Sequence, residues 1–115
     1  MCKVPLEWIV WVMPKPIELL KLQQAAGEAS KLLKVLSNAD RLLLLCQMTQ
    51  GECSVGELER ITGIQQPTLS QQLTVLREEQ LVGTRREGKR IFYSIVSSEA
   101  LAVLQVLYQL YCPEE

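Results

Sequence analysis

A chain of 115 residues, 48% hydrophobic and 22% charged, has the length of one small globular domain. Its formal net charge of −1 gives no overall attraction to nucleic acid, and the absence of histidine excludes metal sites and acid–base pairs built on imidazole. A domain of this size buries a modest fraction of its surface, so self-association would add burial. Aromatic residues are few and leucine is abundant, which favours helices over sheet. The charge is unevenly spread: Arg85, Arg86, Lys89 and Arg90 lie within seven residues around a single Glu87, whereas residues 52–59 and the Glu114-Glu115 end are acidic. A local basic patch on an acidic body can hold phosphate in one place and repel it elsewhere.

Residues 8–13, Trp-Ile-Val-Trp-Val-Met, are too short for a secretory apolar region, and no stretch approaches membrane-spanning length. The cytoplasm is therefore the expected compartment, with no membrane partner. Pro14 and Pro16 break any helix continuing from this segment. Two readings of residues 1–16 stand side by side: Met13 as the true start with an over-called leader, or a real arm packing Trp8 and Trp11 on the body. The domain itself is expected over residues 17–112, with residues 113–115 as a tail.

From residue 17 to 36 the apolar positions Leu20, Ala25, Ala29, Leu32, Leu33 and Leu36 recur at helical spacing. Ser37-Asn38-Ala39-Asp40 supplies a stop and a new N-cap. A second helix over about residues 40–49 is apolar nearly all round through Leu42-Leu43-Leu44-Leu45-Cys46, which predicts a central, buried element. Ser54 and Glu57 have capping-box spacing and open a short helix closed by Gly63. Pro67 suits the first turn of the next helix, which reaches about Glu79.

A short helix, a tight glycine turn and a second helix form the helix-turn-helix pattern. Two β-rich runs follow, Leu81-Val82-Gly83-Thr84-Arg85 and Ile91-Phe92-Tyr93-Ser94-Ile95-Val96, joined by Glu87-Gly88-Lys89 as a hairpin. Ser97 or Ser98 caps a last helix that Pro113 stops. The expected fold class is mainly α with a β-hairpin wing (α+β), a winged helix-turn-helix in the order α-α-α-α-β-β-α. The broad apolar arcs of the first and last helices predict a homodimer, with Leu20, Leu104 and Leu107 at its interface.

On the helix after Pro67, Leu69, Leu73 and Leu76 make a core stripe. Gln66, Thr68, Ser70, Gln71 and Gln72 remain near its start, where a recognition helix meets base edges. Glutamine can pair with adenine through two hydrogen bonds, and hydroxyls serve bases or phosphates. A merely solvated face would ordinarily carry Lys and Glu; this one is uncharged and adjoins the basic hairpin. Arg85, Arg86, Lys89 and Arg90 are then expected on phosphates or in the minor groove, adding affinity more than sequence choice. The expected partner is double-stranded operator DNA.

Leu33, Leu36-Ser37-Asn38-Ala39-Asp40-Arg41, Gln66-Pro67-Thr68-Leu69-Ser70-Gln71-Gln72-Leu73, Val75-Leu76-Arg77 and Leu81-Val82 resemble the signature of ArsR-type winged-helix repressors over about residues 17–112. The resemblance implies a homodimeric bacterial repressor that leaves its operator when a signal arrives. Many members sense metals, and here the sequence departs from them. The third-helix cysteine motif falls on residues 52–58, where its two cysteine positions hold Ser54 and Gly56, and Cys53 is one residue off register. Cys46, Cys53 and Cys112 cannot supply four zinc ligands within one chain. No metal or other cofactor is expected, with a three-thiolate soft-metal site as the alternative.

Within residues 42–48 a cysteine is most often a small core hydrophobe, while Cys112 sits at a helix end beside Pro113. The placement of Cys46 and Cys112 resembles a subgroup of the family in which such a pair responds to persulfides and oxidants and controls sulfide-detoxification or biofilm-related genes. That resemblance makes Cys46 and Cys112 a candidate redox switch with persulfide or oxidant as its signal. Which thiol attacks first is open. Cys53 is expected to be structural, and Cys2 depends on whether the arm exists. A thiol enzyme is the competing class, but no Gly-rich phosphate loop and no nucleophile–base constellation occurs.

Overall fold

Asn38 starts the helix that carries the core: its side chain accepts from the Arg41 backbone N–H at 3.0 Å, and the chain turns helical at Ala39. In the computed structural model, which describes residues 18–112, the elements are α1 (Leu19–Leu36), α2 (Ala39–Met48), β1 (Cys53–Ser54), α3 (Val55–Thr62), α4 (Thr68–Glu78), β2 (Val82–Glu87), β3 (Arg90–Ile95) and α5 (Ser98–Tyr111). The expectations for residues 1–16 and for the tail at 113–115 fall wholly outside the described residues. No described helix is long and apolar enough to cross a membrane.

Both predicted caps around the helix-turn-helix form. Ser54 accepts from the Glu57 N–H and Glu57 accepts from the Ser54 N–H, and Gly63 ends α3 at φ 76°, a left-handed conformation that favours glycine. Ser97 caps α5 by accepting from the Ala100 N–H. Gly88, at φ 62°, turns β2 into β3, which pair antiparallel from Val82↔Ile95 to Glu87↔Arg90. The sheet has a third strand that the sequence pattern did not announce. β1 pairs with β3 through Cys53↔Tyr93 and Ser54↔Phe92, giving the order β1-β3-β2.

The core gathers Val35 and Leu36 of α1, Leu44, Leu45 and Met48 of α2, Leu58 of α3, Leu69, Leu73 and Leu76 of α4, Leu81 and Val82, and Ala100 and Leu104 of α5. The expectation that α2 is buried all round needs correction. Leu44 and Leu45 are sealed, but Leu42 and Cys46 are half-buried and Leu43 faces outward. An apolar helix in a single small layer has only one side to bury. The described residues have a radius of gyration of 16.5 Å, above the ~13 Å of a compact 100-residue domain. The excess reflects α1, which is exposed along most of its length up to Leu33 and includes Leu19, Leu20 and Leu22.

Candidate nucleic-acid interface and thiol pair

The recognition helix α4 is fixed by its leucines. Leu69, Leu73 and Leu76 are buried, so Gln65, Gln66, Ser70, Gln71 and Thr74 are left exposed and Thr68 half-exposed. The exposed set is not uniform in its freedom. Gln66 bends back to accept from the Ser70 N–H at 3.0 Å, capping a helix whose own N-cap position is Pro67. Gln72 is half-buried and accepts from the Arg41 guanidinium at 2.9 Å. The amide oxygens of Gln66 and Gln72 thus have partners within the protomer, and Gln71 with Ser70 is the more outward pair.

Arg41 was not singled out as a functional residue. Besides holding Gln72, its Nε donates to the Val35 carbonyl at 2.6 Å, joining the end of α1, the start of α2 and the middle of α4. The signal was present in the Asn38-Ala39-Asp40-Arg41 run, whose last residue looked like signature rather than machinery.

The wing cations divide into two kinds. Arg85 donates to both oxygens of Glu52, at 3.2 and 2.5 Å, and to Glu87 at 2.7 Å. Its guanidinium also lies 4.7 Å from the centre of the Phe92 ring. These partners raise its pKa above the ordinary arginine value, with the Glu52 hydrogen bond the main cause, and Glu52 is held below the usual carboxylate range by the same bond. Arg85 therefore clamps the wing to the segment before β1. Arg90 lies 5.1 Å from the same ring and donates to the Ser54 hydroxyl at 3.3 Å. Arg86 and Lys89 extend from the exposed hairpin.

At the other end of the domain, Cys46 on α2 lines an open groove of about 530 Å³ with Thr49, Gln50, Leu104, Gln105, Tyr108 and Gln109. Cys112 ends α5 one turn beyond Tyr108, its N–H donating to the Tyr108 carbonyl at 2.9 Å, and it is exposed. Burial pushes the Cys46 thiol up, and the nearby charge of Cys112 adds to this. Cys53 points elsewhere, with its sulfur 3.6 Å from the Gly51 carbonyl and 3.9 Å from that of Gln47. Burial, and then Glu57, push its pKa up too. Among the described residues no cysteine is disulfide-bonded, and no group of three or more Cys, Asp or Glu side chains is placed to hold a metal ion.

Of the three expected interface leucines, Leu104 stands apart. It is 2% exposed and belongs to the protomer's own core. Leu107 is half-buried, Leu20 is exposed, and the outward apolar surface of α5 consists of Val106, Tyr108, Leu110 and Tyr111.

A helix-turn-helix of α3 and α4 followed by a β2–β3 wing defines a winged helix-turn-helix protein. Residues 38–84 match the family described as "Bacterial regulatory protein, arsR family". The biofilm growth-associated repressor of Agrobacterium fabrum is 50% identical over 100 residues, 86% of each chain. The crystal structure of the transcriptional repressor BigR from Xylella fastidiosa superposes with a TM-score of 0.78 at 46% identity, covering 85% of this chain and all of that one. Reduced HlyU from Vibrio cholerae gives 0.79 at 39% identity over 83% of this chain and all of its own. The chain belongs to the ArsR family of bacterial regulatory proteins.

Proposed function

We propose that this protein is a homodimeric transcriptional repressor that binds operator DNA through α4 and the wing, acts in the cytoplasm, and is released when persulfide or oxidant joins Cys46 to Cys112. The observation that supports it is that Cys46 lines an open groove between α2 and α5, with Cys112 just beyond the end of α5 and near enough to raise the Cys46 pKa. Its relatives' names support the repressor reading and link it to biofilm growth; sulfide-detoxification or biofilm-related genes are the proposed targets.

The chemistry needs two thiols and an external sulfur or oxygen donor. One thiolate attacks the outer sulfur of a low-molecular-weight persulfide RSSH, forming Cys–S–SH and expelling RS⁻. The second thiolate attacks the inner sulfur of that persulfide and expels HS⁻. The sum is two thiols plus RSSH giving a disulfide, RSH and H₂S. Attack on a second RSSH by Cys–S–SH before closure inserts one more bridging sulfur. With peroxide, the first thiol becomes a sulfenic acid with loss of water, and the second displaces another water. A plain disulfide needs α-carbons within about 7 Å; added sulfurs lengthen the bridge.

Crosslinking would draw the end of α5 onto α2. In a dimer whose recognition helices must match half-sites about 34 Å apart, a small rotation of α5 misplaces both helices. The test is a titration of promoter DNA with reduced protein, repeated after polysulfide, peroxide and metal-ion treatment. Release by polysulfide or peroxide, with mass spectrometry showing a Cys46–Cys112 link carrying zero to a few extra sulfurs, is expected. Release by metal ions alone, or full release in a folded Cys112→Ser protein, would overturn the mechanism.

A further inference from the structure

The second half of α1, the end of α4 and the start of α5 border an open groove of about 840 Å³ that neither the DNA contacts nor the thiol pair uses. Its apolar lining includes Ala25, Ala29 and Leu32, which share one face of α1, and Val96, 62% exposed, from the connection into α5. Both alanines are exposed and too small to fill the space beside them. Four carboxylates line the same groove, Glu28, Glu78, Glu79 and Glu99, against the single ammonium of Lys31. Among the described residues none of the four is ion-paired. The groove therefore suits an occupant that is apolar and positively charged at once.

Residues 1–17, which precede the described part of the chain, have that chemistry. Trp8-Ile9-Val10-Trp11-Val12-Met13 is flanked by Lys3 and Lys15, with Glu7 as the one acid. The chain enters α1 from an extended, non-helical Glu18 (φ −53°, ψ 139°), and Pro14 and Pro16 bar the helix from running on upstream. At about 3.3 Å per extended residue, residues 8–13 reach about 17–33 Å from Glu18. Ala25 to Leu32 lie about 10–21 Å along α1 from the same point, at about 1.5 Å per residue. A second copy of the domain suits the groove less well. The outward residues of α5, Val106, Tyr108, Leu110 and Tyr111, carry no charge to answer the carboxylates, and the chain beyond them adds Glu114 and Glu115.

We propose that residues 1–17 are an arm that folds back along α1 of the same chain and seats Trp8 and Trp11 in this groove, with its lysines beside the groove's carboxylates. This goes beyond the repressor reading and does not depend on it. Within the protomer the buried residues of α1 are Val35 and Leu36, at its end. An aromatic side chain buries about 150–250 Å², so the arm gives the exposed stretch of α1 cover that the rest of the protomer does not supply.

Trp8 and Trp11 are the chain's two tryptophans, so tryptophan emission from the full-length protein reports on the arm alone. Wild-type emission should lie well to the blue of that in denaturant, and acrylamide should quench it several-fold less. Ala29→Arg and Val96→Arg, on separate elements, each put bulk and a competing cation into the groove. Each should move the emission to the red and restore quenching, while circular dichroism shows the domain still folded. Gln23→Arg adds the same charge to α1 outside the groove and should keep the wild-type emission. Wild-type emission matching that in denaturant overturns the proposal. So does a blue emission that either folded groove variant leaves unchanged, or one that Gln23→Arg reddens equally, because the tryptophans then sit elsewhere. Emission that reddens on dilution, in step with a fall in sedimentation mass, also overturns it, since the tryptophans are then held between two copies.

Discussion

Cys46 and Cys112 differ in surroundings, and the difference assigns an order to the proposed chemistry. Cys112 is exposed at the end of α5, while Cys46 is half-buried with its pKa pushed up by burial and by Cys112. The thiolate is the nucleophile, so Cys46 is the slower attacker and the natural resolving thiol. Cys46→Ser should therefore still gain a sulfane sulfur on Cys112, detectable as a 32 Da increment (about one sulfur per thiol, as the oxidation ladder allows), but should keep binding DNA. Cys112→Ser should take up sulfur much more slowly. The sign of the pH effect follows: a raised Cys46 pKa leaves little thiolate at neutral pH, so closure of the bridge should speed up by about tenfold per unit as pH rises toward that pKa. A closure rate flat between pH 7 and 9 would assign the resolving step elsewhere. Arg41 and Gln72 make a second residue-level case. Arg41→Ala removes the donor to Gln72 and to the Val35 carbonyl, and should weaken DNA binding although Arg41 touches no base. Gln71→Ala should instead relax base choice, since Gln71 is outward on α4. Selection from a randomised duplex library distinguishes the two.

The wing shows how one short strand changes the meaning of a charge. β1 brings Glu52 beside Arg85, so two carboxylates and the Phe92 ring hold a cation that otherwise would reach for phosphate. Glu52→Gln removes one carboxylate charge from this clamp and should strengthen binding to duplex DNA while steepening its salt dependence; weaker binding would mean that the clamp shapes the wing for docking. The helices were legible because their caps and periodicities are local: the Ser54–Glu57 box, Gly63 and the Leu69-Leu73-Leu76 stripe each lie within one or two turns. A two-residue strand has no periodicity to read, and its partners lie 38 residues away for Ser54↔Phe92 and 40 for Cys53↔Tyr93. Glu52–Arg85 and Arg41–Gln72 were hidden for the same reason, being contacts between segments far apart in sequence. The thiol pair is read through resemblance alone, since spacing does not say whether the end of α5 approaches α2.

Whole-molecule architecture decides where a second copy can dock. α1 leaves Leu19, Leu20, Leu22 and Leu33 exposed, and α5 leaves Val106, Leu110 and Tyr111 exposed, whereas Leu104 is sealed inside the protomer. Apolar helix faces of this breadth on a small domain call for a partner, and a two-fold pairing would cover both at once. Two substitutions on one helix separate the roles. Leu104→Ala opens a cavity in the protomer core and should cost about 3 kcal/mol of stability, lowering the melting temperature without changing what the folded protein assembles into. Leu110→Glu should leave each protomer folded, because its side chain lies outside the core, and should shift the mass in sedimentation from dimer to monomer. Each recognition helix would then bind its half-site alone. Losing the second, effectively intramolecular contact should weaken operator binding by about 10²–10⁴-fold. A Leu110→Glu protein that stays dimeric and binds DNA like wild type would place the interface off this face. A Leu104→Ala protein that is fully stable but monomeric would return Leu104 to the interface.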